Sequence, residues 1–185
     1  MTVGVLAIQG AFEEHIKMLR HLGADAFEIR KRSDLERPFD GLILPGGEST
    51  TIGPLLNGLG MMEPLRDTIK NGLPVLGTCA GLILLAKKIE NSDIFYLGTM
   101  DINVVRNGYG RQLGSFEKRA PFLAKEIEMR FIRAPYIKEI GENVKILATV
   151  DQKIVAAQEG NQLVTAFHPE LTDDPTVHQY FLDMI

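Results

Sequence analysis

Short apolar, β-branched runs alternate with amphipathic stretches of helical period through the first half of the chain, the pattern of βα units feeding a parallel sheet. Strands are expected at residues 3–8, 26–30, 41–44 and 73–77. Between the first two, Phe12, Ile16, Leu19 and Leu22 recur three and four residues apart, with Glu13, Glu14, Lys17 and Arg20 on other faces. That spacing predicts a surface helix stopped by Gly23. Residues 63–70 read as another helix, closed by Asn71-Gly72. Beyond about residue 90 the texture changes to strand-like runs at 100–105, 128–132, 144–150, 153–157 and 162–167. Asp151-Gln152 and Gly160-Asn161 are the hairpin turns between the last three, so the second half is expected to be largely antiparallel. A final helix over 175–184 starts behind Asp174 as N-cap, with Pro175 at its first position. No repeat, low-complexity tract or linker interrupts the series. The expected architecture is one three-layer α/β domain over residues 1–185, with a mixed, mostly parallel central sheet and an antiparallel portion in the second half.

Composition narrows the classes of function. At 185 residues and 45% hydrophobic content the chain can bury one substantial core. The formal charge of −4 is spread over interspersed acids and bases, without the basic stripe that nucleic-acid binding requires. The opening apolar run, residues 1–8, has no positively charged leader and is too short for a signal sequence, and no other run reaches membrane-spanning length. Neither nucleic acid nor a membrane is an expected partner. The single cysteine, Cys79, excludes an intrachain disulfide, and a free thiol survives best in the cytoplasm, which is the expected location.

Cys79 serves either packing or chemistry, and its context decides between them. Leu73-Pro74-Val75-Leu76-Gly77 reads as a strand and residues 82–88 as a helix, leaving Thr78-Cys79-Ala80-Gly81 to reverse the chain. This is the strand, sharp turn and helix of a nucleophile elbow, with cysteine in the place of serine. Glycines at 77 and 81 suit the crowding and unusual backbone angles of such a turn. A helix N-terminus favours thiolate, and the Ala80 amide there can stabilise an oxyanion. Phe167-His168-Pro169-Glu170 follows the apolar run 163–166, so His168 lies at the carboxyl end of a strand, the sheet edge where α/β crevices open. In extended backbone His168 and Glu170 project to one side, and the carboxylate can orient the imidazole that takes the thiol proton. After the strand at 41–44 comes Pro45-Gly46-Gly47-Glu48-Ser49, whose paired glycines can direct the Gly47 N–H into the same crevice as a second oxyanion donor.

These segments, with others, carry a resemblance. Ala7-Ile8-Gln9-Gly10-Ala11-Phe12-Glu13-Glu14-His15, Leu44 through Thr51, and Gly77-Thr78-Cys79-Ala80-Gly81-Leu82-Ile83-Leu84 are joined by Arg106-Asn107-Gly108-Tyr109-Gly110-Arg111-Gln112, Ser115-Phe116-Glu117, Phe131-Ile132-Arg133-Ala134-Pro135 and Ala166-Phe167-His168-Pro169-Glu170-Leu171. Over nearly its whole length the chain resembles the class I glutamine amidotransferases and, among them, the glutaminase subunits of pyridoxal 5′-phosphate synthase. The elbow and the His-Pro-Glu segment are shared by that superfamily at large, and the other motifs single out the subunit.

The resemblance implies a flavodoxin-like fold and a Cys79, His168, Glu170 triad that hydrolyses L-glutamine through a glutamyl thioester. It also implies that Gly47, Glu48, Ser49, Arg106, Ile132 and Arg133 hold the glutamine. Glu48 suits an ammonium and an arginine suits the α-carboxylate, although which of Arg106 and Arg133 acts through its side chain stays open. The implied partner is a (β/α)8-barrel synthase subunit in a large hetero-oligomer, in which the glutaminase is poorly active until docked. Gln9, Gly10, Glu13 and His15 are then expected on the docking and activation surface. No cofactor or metal is implied: His15, His21 and His178 are expected as surface helix residues, because no neighbouring ligand spacing completes a metal site. Two alternatives use the same residues, the glutaminase of another synthase and a non-catalytic sensor with Cys79 as its thiol.

Overall fold

The computed structural model describes residues 1–110 and 114–185. The Arg111 and Gln112 end of one motif therefore lies outside the described residues. In chain order the elements are β1 (Thr2–Leu6), α1 (Phe12–His21), β2 (Asp25–Ile29), a 3₁₀ turn (Arg32–Glu36), β3 (Gly41–Leu44), α2 (Ser49–Gly58), α3 (Met62–Lys70), β4 (Val75–Thr78), α4 (Ala80–Leu85), β5 (Ala86–Ile89) and β6 (Met100–Val105). There follow β7 (Ser115–Phe122), β8 (Lys125–Ile132), β9 (Tyr136–Ile140), β10 (Lys145–Val150), β11 (Lys153–Glu159), β12 (Gln162–Thr165), a second 3₁₀ turn (Pro169–Leu171) and α5 (Thr176–Leu182).

A large mixed sheet runs in the order β2-β1-β3-β4-β12-β11-β9-β6-β5, with β10 also paired to β11. The run from β2 to β12 is parallel, whereas β12, β10 and β9 all meet β11 antiparallel. The expected mixed sheet with its antiparallel second half is therefore observed. The central strands β3 and β4 are buried at every position, which is why they read as unbroken apolar runs and not as alternations. Helices cover both faces. Thr78 turns its hydroxyl to His15 of α1, whereas a Cβ on the preceding Gly77 would meet the Gly81 backbone and Leu85 of α4. Adjacent strand residues point to opposite sides, so α1 and α4 lie on opposite faces.

Strands β7 and β8 form a separate antiparallel ribbon. Their buried positions alternate, with Ile127, Met129 and Phe131 inward on β8, and Phe116 stacks on its cross-strand partner Phe131 at 4.6 Å between centroids. The ribbon is tied to the main sheet where the His168 N–H donates to the Arg130 carbonyl at 2.8 Å.

One local expectation is corrected, and α2, β7 and β9 come in addition to the expected elements. The helix expected over 82–88 ends at Leu85, and Ala86–Ile89 is an edge strand in parallel pairing with β6. Sheet pairing outweighs the helix propensity of Ala-Lys-Lys, and Lys87 and Lys88 face outward on that edge. Helix α2 was not anticipated, because Gly53, Pro54 and Gly58 weaken its helical signal. Gly53 is there for packing: a Cβ would come within 2.0 Å of the Tyr96 ring. Strands β7 and β9 were also unanticipated, β7 because Pro121 and its charged outward face blur the alternation. The last helix starts at Thr176 with Pro175 in the N-cap place, one residue later than expected, and Asp174 accepts the Thr176 N–H at 2.9 Å from just before it.

Backbones approach closely at the elbow, where a Cβ on Gly81 would sit 2.0 Å from the Leu44 carbonyl oxygen. Gly81→Ala should destabilise the fold by more than about 1–3 kcal/mol, since β3 and α4 would have to separate. Urea unfolding of the variant against the wild type measures this.

Candidate active site

The elbow is built from β4 and the start of α4. Cys79 itself takes the unusual backbone, φ 49° and ψ −98°, a region side chains rarely occupy. Gly77 and Gly81 have ordinary φ values, and their role is close approach alone. The strained residue is clamped by its neighbours: the Cys79 N–H donates to the Thr165 carbonyl of β12 at 2.8 Å. Its Sγ lies 3.9 Å from the Ile132 carbonyl at the end of β8.

His168 arrives three residues beyond Thr165, on the strand paired in register with β4. Its Nδ1 is 2.7 Å from Oε1 of Glu170. Burial works to lower the pKa of His168, but its interactions with Cys79 and with Glu170, and their negative charge, outweigh it and raise the value to about 10. Since Nδ1 belongs to Glu170, Nε2 is the nitrogen left for the thiol. Gly46 closes against this pair: a Cβ there would lie 2.3 Å from the imidazole Cε1 and 3.4 Å from the Cys79 Cβ.

The crevice over these groups has a volume of about 430 Å³. Gly47, Glu48, Ser49, Arg106, Ile132 and Arg133, the expected glutamine-binding residues, all line it together with Cys79 and His168. Ala80 is buried at the first position of α4, directly after the thiol. Glu48 and Arg133 form an ion pair across the mouth. Both side chains are substantially exposed, so this pair is worth at most about 1 kcal/mol and yields readily to a ligand carrying both charges.

Sequence reasoning missed three lining residues, Thr50, Ile83 and Asn107. Ile83 was legible in principle, being four residues past Cys79 on α4 and so stacked over the elbow. Asn107 precedes a glycine and takes a left-handed backbone, φ 48°.

The segment expected at the docking surface divides. Gly10 and Glu13 are exposed. Gln9 lines the crevice, and its Oε1 accepts the Glu48 N–H at 2.8 Å. Gly10, φ 102°, lets the β1–α1 loop touch the glycine turn, where the Ala11 N–H donates to the Gly46 carbonyl at 3.2 Å. His15 is corrected: it is 0% exposed and cannot contribute a docking surface, nor is it a surface helix residue. His178, expected on a surface, is buried just as fully. The spacing carried that signal, since His15 lies three after Phe12 and four before Leu19, and His178 three before Phe181 and four before Leu182. His21 is exposed as expected. No helix among the described residues is long and apolar enough to cross a membrane.

Burial lowers the pKa of His178 to about 4. The unfolded chain takes up this proton near its ordinary value and the folded chain does not. The associated stability is therefore complete above about pH 6.5 and is lost as pH falls toward 4. His168, raised, acts in the opposite window, contributing fully below about pH 6.5 and losing its contribution as pH rises toward 10. Urea unfolding should show an acid loss of up to roughly 3 kcal/mol attributable to His178, and His178→Leu should flatten that limb.

A model of the SNO glutamine amidotransferase family matches residues 5–185. The chain is 63% identical over 186 residues, covering 100% of it and 98% of the relative, to the pyridoxal 5′-phosphate synthase subunit PdxT of Methanocorpusculum labreanum. It is 57% identical over 188 residues, covering 100% and 97%, to the subunit of the same name from Streptococcus pneumoniae strain CGSP14. A crystal structure of a glutamine amidotransferase superposes with a TM-score of 0.92 at 43% identity, covering 98% of this chain and 97% of the other. PurLQS from Thermotoga maritima, with a TM-score of 0.68 at 16% identity over 98% of this chain and 97% of the other, shares the fold alone. Matched from its first strand to its last residue by the family model and end to end by such relatives, the chain belongs to the SNO glutamine amidotransferase family.

Proposed function

We propose that this chain hydrolyses L-glutamine to L-glutamate and ammonia and supplies the ammonia to a synthase subunit for pyridoxal 5′-phosphate, vitamin B6, synthesis. The observation that carries the reading is the convergence, in one crevice, of an elbow cysteine, a carboxylate-bound histidine and the Gly47-Glu48-Ser49 turn. The names of the 63% and 57% identical relatives agree with it.

In the mechanism, the raised pKa of His168 leaves the shared proton on its Nε2, and Cys79 Sγ attacks the side-chain amide carbon as the thiolate of that pair. The N–H groups of Ala80 and Gly47 stabilise the oxyanion. The imidazolium then gives its proton to the departing nitrogen, so that ammonia leaves and a glutamyl thioester remains. Water, deprotonated by His168, cleaves the thioester to glutamate and restores the thiol. Glu170 holds the imidazole and balances its positive charge. Glu48 meets the substrate ammonium, and Arg106 and the Ile132-Arg133 segment its carboxylate, replacing the ion pair that Glu48 and Arg133 form with one another.

The partner is a (β/α)8-barrel synthase in a hetero-oligomer, in the cytoplasm, with Gln9, Gly10 and Glu13 close to the contact. Gly46 and Gly47 are the switch in this reading: their shared peptide reorients on docking to aim the Gly47 N–H at the oxyanion. The β1–α1 loop is the lever, because it holds the Gly46 carbonyl through Ala11.

Glutamate release should be measured with the synthase subunit, ribose 5-phosphate and glyceraldehyde 3-phosphate. Cys79→Ala should lower it by more than about a thousandfold. Wild-type protein that releases none under these conditions sinks the reading. Gly47→Val should impair turnover far more than co-sedimentation with the synthase, and equal loss of both argues against the switch.

A further inference from the structure

Behind the imidazole–carboxylate pair lies a second set of buried polar groups that the mechanism above does not use. Oε1 of Glu170 is held by His168, but Oε2 is buried without a well-formed hydrogen bond. Nε2 of His15 faces it at 3.4 Å and lies 3.2 Å from the hydroxyl of Thr78. The other nitrogen of His15, Nδ1, is 2.8 Å from Nε2 of His178. The two histidines come from α1 and α5, at opposite ends of the chain.

The partners assign the protons. With its proton on Nδ1, His15 would turn a lone pair toward the carboxylate. His178 would then carry its own proton on Nδ1, which is buried without a partner. An unpaired buried N–H and two opposed lone pairs are both costly. The other assignment has neither fault: His178 donates Nε2–H to His15 Nδ1, and His15 turns Nε2–H toward Glu170 and Thr78. Burial, with His178 and His168 close by, holds the pKa of His15 well below the ordinary histidine value, so the ring is a neutral donor.

We propose that His15 is a positioning residue of glutamine hydrolysis: its neutral Nε2–H bridges Oε2 of Glu170 and the Thr78 hydroxyl, with His178 fixing its tautomer, so that the carboxylate presents Oε1 to His168 in one orientation. The proposal rests on the triad reading above. A Glu carboxylate rotates in a broad, shallow well, and one contact on Oε1 leaves that rotation loose. A neutral donor on Oε2 stops it without placing a second cation beside the His168 imidazolium. The same ring touches Thr78, the residue before the nucleophile, and stands on the helix that begins at the loop gripping Gly46 and Glu48. It thereby sets the acid of the triad against the elbow.

Steady-state kinetics of the synthase-docked enzyme test this with His15→Leu, His15→Asn and His15→Gln. The glutamine amide places a donor near the position of the imidazole Nε2, whereas the asparagine amide reaches only the Nδ1 position. In His15→Leu and His15→Asn, kcat should fall on the order of tenfold or more with KM changed less than about twofold, and His15→Gln should recover most of the rate. His15→Leu added to Glu170→Gln should cost little beyond Glu170→Gln alone. Wild-type kcat in His15→Leu, equal losses in all three variants that follow the folded fraction, or full additivity with Glu170→Gln would overturn the proposal. If His15→Leu does not fold, the Gln against Asn comparison decides alone, equal rates counting against the proposal. Turnover retained by Cys79→Ala defeats the triad reading itself, whereas an inactive Cys79→Ala beside an unimpaired His15→Leu defeats only the role of His15.

Discussion

The parallel pairing of β12 with β4 is the constraint on which the site depends. Thr165 stands opposite Thr78, and the Thr165 carbonyl takes the N–H of Cys79. With that register set, three further residues carry the chain to His168 beside the thiol. A slip of one residue would turn every side chain of β12 to the other face and carry His168 away from Cys79. The site therefore forms only when segments almost ninety residues apart in sequence have paired, a long-range closure that β11 and β12, joined as a hairpin, deliver together.

Strain at Cys79 is tolerable because the surroundings leave it no alternative. An L-residue at φ 49° and ψ −98° costs of order 1–3 kcal/mol, and the surrounding packing offsets it. Gly77 and Gly81 let β3, β4 and α4 close to backbone contact, and Gly46 brings the turn after β3 against the imidazole. The elbow is thus a consequence of packing density on three sides, with glycine placed wherever a methyl group would hold the backbones apart.

The antiparallel ribbon supplies the other wall. Its apolar face, led by the Phe116 and Phe131 stack, fixes β8, and β8 ends at Ile132 and Arg133 over the thiol. The Arg130 carbonyl accepts the His168 N–H, so the same strand that reaches the crevice also anchors His168. Across the crevice, Gln9 and Ala11 hold the glycine turn, and α1 continues from them to His15 behind the acid. Each wall consequently touches Cys79, His168 or Glu170 as well as the crevice.

Much of this was legible in the order of residues. The βα alternation, the elbow, the hairpin turns and the His-Pro-Glu segment are local patterns, set by side-chain period and turn chemistry within a few residues, and local patterns survive in a linear string. Tertiary structure decided the rest. Ala86–Ile89 became a strand because an edge of the sheet was open to it, and α2 carries Gly53 because the Tyr96 ring fills the space a side chain would take. The spacing puts His15 and His178 on the apolar faces of their helices, but only the packing of α1 against α5 brings their rings within 2.8 Å of each other. Whether a histidine is solvated or neutral and buried depends on what packs against it, and that is settled only when distant helices meet over one face of the sheet.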